Sequence, residues 1–174
     1  MQTSRRRFVE AGLLGGWASA GPSSASLDSP RTAARGNPRY TTLDGILHQP
    51  VLRRELFRAP VVIESLELLR HEDSFLCRVR SRDGATGLSV GHSGLKVLYP
   101  LFVHNLQPFF VGKDARDLDL LLEKVFVYSF NFRYGGISIG TPLATIEHAI
   151  LDLLGRVAGR SFAELVGEVR HPEV

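Results

Sequence analysis

Hydrophobic spacing along the chain moves from none, to a period of two, to a period near 3.6. Residues 21–38 have no apolar period and are rich in Ser, Ala, Gly and Pro, the composition of a flexible linker. Residues 40–59 scatter Leu43, Ile46, Leu47, Val51, Leu52, Leu56 and Phe57 around Pro50, with Pro60 closing the stretch. This predicts a lead-in of one or two short turns lying on the domain surface. Val61 to Arg70 then reads as a strand, ended by the polar run His71-Glu72-Asp73. Phe75, Cys77 and Val79 alternate with Leu76, Arg78 and Arg80, the pattern of a half-buried strand. Asp83-Gly84 predicts a type I′ hairpin turn, with Thr86 to Val90 returning as a third strand.

Helical spacing takes over afterwards. Leu95 to Leu106 predicts a helix in which Pro100 is tolerable only near the first turn. Asp114 can cap the next helix, whose stripe is Leu118, Leu121, Leu122, Val125 and Phe126. Residues 128–140 read as an aromatic, glycine-rich loop, with Asn131 to Gly136 structural rather than a stacking platform. Thr141-Pro142 then places a capping hydroxyl before a proline at the first helical position. The stripe Leu143, Ile146, Ile150, Leu153 and Val157 follows, closed by Gly159. Ser161 and Glu164 form a capping box for a short helix ending at Gly167. The fold class is therefore α+β: a three-stranded antiparallel meander followed by a three- to four-helix bundle.

Composition adds bounds. The 174 residues are 44% hydrophobic and 22% charged, an ordinary globular balance for one modest core. A net charge of +3 and a pI near 9.3 raise nucleic-acid binding. Arg5, Arg6 and Arg7 against Glu10 put +2 of that charge in residues 1–20. The remaining +1 is interspersed, with no stripe to follow phosphates, so no nucleic-acid partner is expected.

The N-terminus itself reads as an address. Ser4-Arg5-Arg6-Arg7-Phe8-Val9 resembles a twin-arginine export motif, followed by a weakly apolar stretch and a small-x-small site at Ala18-Ser19-Ala20. That stretch is too short and glycine-rich to span a bilayer. The resemblance implies export to the periplasm, and no transmembrane segment is expected. Cys77 is the sole cysteine; in mid-strand it reads as a buried small hydrophobe, not a nucleophile or ligand.

Three stretches, in this order, carry a wider resemblance. Ser81-Arg82-Asp83-Gly84-Ala85-Thr86-Gly87 is a hairpin with a D-G turn and a further glycine. Pro108 with Val111-Gly112-Lys113-Asp114 leads into the long helix. Ile146-Glu147-His148-Ala149-Ile150-Leu151-Asp152-Leu153-Leu154-Gly155-Arg156-Val157-Ala158-Gly159 is similar to A-I-x-x-A-L-W-D-L-x-G-K-x-x-G. Ser161 to Glu168 then stands where P-V-x-x-L-L-G-G would be. Together they resemble the N-terminal capping domain of the mandelate racemase/muconate lactonizing enzyme branch of the enolase superfamily, over residues 61–171.

The resemblance implies a meander on a helical bundle that caps a modified (β/α) barrel, with two cap loops closing over substrate. It implies that the barrel carries a lysine acid/base pair, or a lysine opposite a histidine, and three carboxylates for Mg²⁺. The intact enzyme would remove a proton next to a carboxylate, as a racemase, cycloisomerase or acid-sugar dehydratase, with developing charge stabilised on the metal.

Little of that apparatus is present in these residues. The three lysines, Lys96, Lys113 and Lys124, form no K-x-K pair, and no catalytic or metal-binding residue is assigned. Where the family has G-x-G-E, this chain has Gly87-Leu88-Ser89-Val90, without the acid. The first capping loop shrinks to about Arg70–Ser74. The second is Gly91-His92-Ser93-Gly94, and His92, Ser93 and Gly94 are the candidate substrate-capping residues. Glu147 and His148 are adjacent and share no helix face. Without H-E-x-x-H they make no zinc site, and His48, His71, His104 and His171 have no partners at ligand spacing.

The expected role is a capping domain, inactive alone, of a truncated gene product whose barrel is missing. The alternative is a stand-alone exported binding or oligomerisation module without enzymatic activity, which pairs with a separately encoded barrel or with itself.

Overall fold

A computed structural model describes residues 38–47 and 49–168. The signal motif at Arg5 and Arg6, most of the linker, His48 and His171 lie outside the described residues. The chain divides at residue 45 into two units. Of the first only residues 38–44 are described, within helix α1 (Pro38–Leu47), whose described side chains are exposed.

The second unit is built on a meander of β1 (Ile63–His71), β2 (Ser74–Ser81) and β3 (Thr86–Gly91) in the order β1-β2-β3, both pairs antiparallel. Leu66, Cys77, Val79 and Gly87 point to one face and are buried, because a strand alternates its side chains. Against that face lies α5 (Ile137–Ala158), which packs along β3 and β2.

Eleven residues of α5, from Ile139 to Gly155, are buried, which makes it the central element of the core. It is long and apolar enough to cross a membrane, but half of it is spent on this packing. A rod of α2 (Leu95–Leu101), a π turn (Phe102–Leu106) and α3 (Gln107–Phe110) flanks it, with α4 (Leu118–Lys124) and α6 (Phe162–Val166) completing the layer. The α+β architecture expected from the pattern is the one observed.

Several local expectations change. The β2–β3 turn is not type I′, since only Gly84 has positive φ, at 87°. Arg82, Asp83 and Gly84 form a three-residue loop closed by Ser81 N–H donating to the Ala85 carbonyl at 2.9 Å, the form with glycine in the left-handed position. Pro100 is the sixth residue of α2, beyond its first turn. The helix survives because Lys96, whose carbonyl loses its donor, is exposed like Pro100. The rod then widens into the π turn rather than ending at Leu106.

α5 begins at Ile137 with Gly136 (φ 54°) as its cap, so Thr141 is not the cap and Pro142 is buried inside the helix. Burial of Ile139 draws the first turn back, and the carbonyl orphaned by Pro142 belongs to exposed Ser138. Val157 leaves the buried stripe at 43% exposure, and Leu154 and Ala149 take its place. α4 stops at Lys124, which leaves Phe126 outside the core.

The lead-in is also more than a surface strap. Leu52 and Phe57 enter the core, and Arg53 N–H donates to the Leu165 carbonyl at 2.8 Å. The Gly159 left-handed cap and the Ser161/Glu164 capping box form as expected, whereas Asp114 caps a 3₁₀ turn (Ala115–Asp117) that leads into α4, and Asp117, at the N-cap of α4 itself, makes no side-chain capping bond.

Candidate functional site

Both connections singled out as capping loops lie at one end of the sheet. His71 pairs with Ser74 across a two-residue turn, and Phe75 pairs with Gly91 where β3 stops. In the first turn Glu72 takes a positive φ of 53°, held by Arg70 Nε donating to its carbonyl at 2.7 Å. The Asp73 carboxylate accepts from Lys96 Nζ at 3.2 Å. This ion pair joins the first turn to the start of α2, immediately after the second loop. Its partners are exposed, so its worth is small, but it ties the two loops together.

The second loop is built as a helix start. His92 Nδ1 accepts from Gly94 N–H at 2.9 Å, and the His92 carbonyl accepts from Leu95 N–H at 3.0 Å. A Cβ at Gly91 would sit 2.4 Å from Leu95 Cδ1, so glycine lets the helix turn this close to the strand. His92 and Ser93 are exposed and Gly94 is half-buried. With Nδ1 accepting, the proton of this tautomer sits on Nε2 of an exposed ring. Together with the Ser93 hydroxyl it offers two neutral hydrogen-bond donors on one tight turn. That arrangement can bind an acceptor such as a carboxylate; it supplies no nucleophile, paired base or metal.

Lys96 and Tyr99, which the sequence did not assign to a capping loop, border the same end, as does Arg70 at the start of the first loop. Leu68, Arg70, Phe75, Tyr99 and Val103 line a recess of about 210 Å³ beside it, where the Arg70 guanidinium lies 5.8 Å from the Phe75 ring centre. Strand pairing places Leu68, Arg70 and Phe75 there and the turn into α2 brings Tyr99 and Val103 beside them, and no linear spacing signals it.

A larger concavity of about 660 Å³ lies elsewhere, between the C-terminal half of α5 and α6, with His148, Leu151, Arg156, Arg160 and Phe162 in its walls. Its arginines are occupied, Arg156 on Asp152 at 2.9 Å and Arg160 on Glu164 at 3.0 Å.

The remaining chemistry-bearing groups are structural. Cys77 is fully buried, and burial pushes its thiol up to about 12 despite a hydrogen bond with Ser89. Burial also raises the Asp114 carboxyl. Hydrogen bonds from the Arg116 side chain, Arg116 N–H and Val61 N–H outweigh it and hold the group below its ordinary value. Asn131 is fully buried; it donates to the Val125 carbonyl at 2.8 Å and accepts from Asn105 at 2.9 Å. Among the described residues no three His, Cys, Asp or Glu side chains gather as a metal would need. The donor set therefore does not fit Mg²⁺, and no catalytic step through the ion can be assigned to these residues.

Comparison with known proteins places this geometry. No family model and no curated protein sequence matches the chain. Solved structures do. A putative racemase from Roseobacter denitrificans is 26% identical over 59% of this chain and 28% of its own, with a TM-score of 0.51. A mandelate racemase/muconate lactonizing protein from Paracoccus denitrificans is 22% identical, covering 64% of this chain and 31% of its own at a TM-score of 0.55. An enolase from Agrobacterium radiobacter, a putative galactarate dehydratase, is 21% identical over 63% and 29%, at 0.53. The resemblance read from the sequence thus holds in three dimensions: the fold is that of the N-terminal domain of mandelate racemase/muconate lactonizing enzymes and the enolase superfamily. This chain spans about three-tenths of the length of those proteins.

Proposed function

We propose that this chain is the substrate-capping domain of a mandelate racemase/muconate lactonizing enzyme-like protein. The observation that carries the reading is the convergence of the β1–β2 turn and the His92–Gly94 loop at one sheet end, joined by Asp73 and Lys96. His92 Nε2 and the Ser93 hydroxyl would then meet an acceptor of the substrate, while a barrel beyond these residues supplies the base and the metal site. The full-length reaction is proton abstraction next to a carboxylate. Both loops are short, so this cap orients substrate rather than folding over it as a long lid.

The test mixes the full chain with a barrel domain taken from one of the matched enzymes. Mg²⁺-dependent exchange of the α-proton of a carboxylate substrate into D₂O is then followed by NMR. Exchange is expected only in the mixture, with His92→Ala raising KM more than it lowers kcat. Exchange by this chain alone, or no association with the barrel, would overturn the proposal.

Residues 1–20 direct export in the same reading. A reporter fused to them should reach the periplasm and be retained inside when Arg5 and Arg6 are both changed to Lys. Retention of the unaltered fusion would refute it. The second reading, a binding or oligomerisation module, is favoured by one feature: the exposed aromatic side chains of Phe126, Phe130, Phe132 and Tyr134 between α4 and α5.

A further inference from the structure

We infer that the groove between the α2–π rod and the start of α5 is a second binding site, built for the ring of an uncharged sugar. The groove has a volume of about 380 Å³ and shares no residue with the recess at the capping end. Leu98, Pro100 and Leu101 supply its apolar surface. His104, Asn105, Tyr134 and Ser138 supply its hydrogen-bonding groups, and no Asp, Glu, Lys or Arg lines it. Two of those four, His104 and Asn105, come from the π turn, a form that occurs mostly as single turns inside helices and frequently at functional sites.

A chain of hydrogen bonds fixes how Asn105 is presented. The Val125 carbonyl can only accept, so the fully buried Asn131 carboxamide turns Nδ2 to it, at 2.8 Å. Asn131 Oδ1 is then left to accept from Asn105 Nδ2, at 2.9 Å. Asn105 Oδ1 is the free end of this chain: an acceptor on a half-buried residue, its orientation set from the core, with no donor among the described residues. The Tyr134 and Ser138 hydroxyls and the His104 imidazole likewise have no partner among the described residues. Ser138 also brings the carbonyl that Pro142 leaves without a helix donor.

The class of ligand follows from these groups. An anion or a cation would find no opposite charge in the lining. A purely apolar ligand would strip water from an oriented amide oxygen and two hydroxyls without replacing it, which costs binding energy. A pyranose has the complementary chemistry: hydroxyls that each donate and accept, and C–H faces that lie against a tyrosine ring and against leucine and proline carbons. The volume suits one ring, at the small end of the range of about 300–1,000 Å³ for small-molecule sites. The inference goes beyond the capping reading and does not depend on it.

The experiment is saturation-transfer NMR on the full chain, titrated with the methyl α-D-pyranosides of glucose, galactose and mannose at millimolar concentration. Transfer to at least one glycoside is expected, strongest at its ring C–H protons. Tyr134→Ala and Ser138→Ala, both at exposed positions, should each weaken binding about fivefold or more while the cooperative melt is kept. Arg82→Ala on the β2–β3 loop should leave it unchanged. Maltotriose separates the two sources of such a ring: tighter binding than methyl α-D-glucopyranoside assigns the site to the end of a glycan, and equal binding assigns it to a free sugar. No transfer to any glycoside overturns the inference. So does binding indifferent to both alanine variants, or tighter binding of D-glucuronate, which adds a charge to the same ring. The capping reading is judged separately by α-proton exchange.

Discussion

Asp152 on α5 accepts the backbone N–H of Leu88 on β3 at 2.8 Å. The same carboxylate oxygen accepts Arg156 Nε at 2.9 Å. This is the acid of the helix motif that resembles the capping domain, and its observed role is to fasten the edge of the sheet to the central helix. Asp152→Ala should cost about 1 kcal/mol, because the freed N–H is not deeply buried. Asp152→Asn, which keeps an acceptor, should recover more than half. Urea unfolding of the three proteins checks this, and equal losses for Asn and Ala would refute the role.

Gly87 sits where β3 passes α5. A Cβ there would lie 2.2 Å from the Ala149 carbonyl oxygen and 2.4 Å from Leu153 N. Both are backbone atoms of a helix and cannot swing aside. Gly87→Ala should therefore cost about 3 kcal/mol and lower Tm by roughly 10 °C for a unit of this size. Gly140→Ala is the control, since no atom lies within 4 Å of the added carbon and the residue is helical. It should stabilise by about 0.5 kcal/mol. Calorimetry reads both, and a mild Gly87→Ala would mean that the helix can shift.

Asp114 bonds Val61 N–H, Arg116 N–H and the Arg116 guanidinium, so it joins the start of the sheet to the start of α4. Its carboxyl titrates below the ordinary 3.8. The stability it supplies is present above that value and is lost as pH falls through the depressed folded one. Asp114→Asn should be less stable by about 1–2 kcal/mol at neutral pH, and the gap should close in strong acid. Denaturant midpoints across that range decide the matter; a gap independent of pH would contradict the ion-pair account.

Cys77, with a thiol near 12 and no exposure, should ignore a thiol reagent such as DTNB in the folded protein and react once unfolded. Cys77→Ala should cost about 1 kcal/mol. Fast labelling of the native protein would show that the sheet opens locally.

The candidate site divides along the same line as the fold. His92, Ser93 and Gly94 stood out because glycines flank two polar residues after a strand, and they do lie on an exposed turn. Arg70 and Asp73 were legible only as part of a shortened first loop, and Lys96 only as one of three lysines outside any K-x-K pair. The contact of Asp73 with Lys96 spans 23 positions and exists only because antiparallel pairing returns the chain to the same end. Phe130 was equally invisible: an aromatic in a loop looks buried or exposed alike until Asn131 sets the backbone around it.

Local energetics therefore determined what was readable. Alternation gave three strands, the 3.6-residue stripe gave α5, and caps at Asp114, Gly159 and Ser161 formed where short-range hydrogen bonding required them. Tertiary structure decided the rest. It drew Leu52 and Phe57 into the core, moved the start of α5 from Thr141 to Ile137, and carried a helix through Pro100. Each of these set a local preference against burial of apolar surface by residues far away in the chain, and burial, summed over many contacts, is the larger free energy.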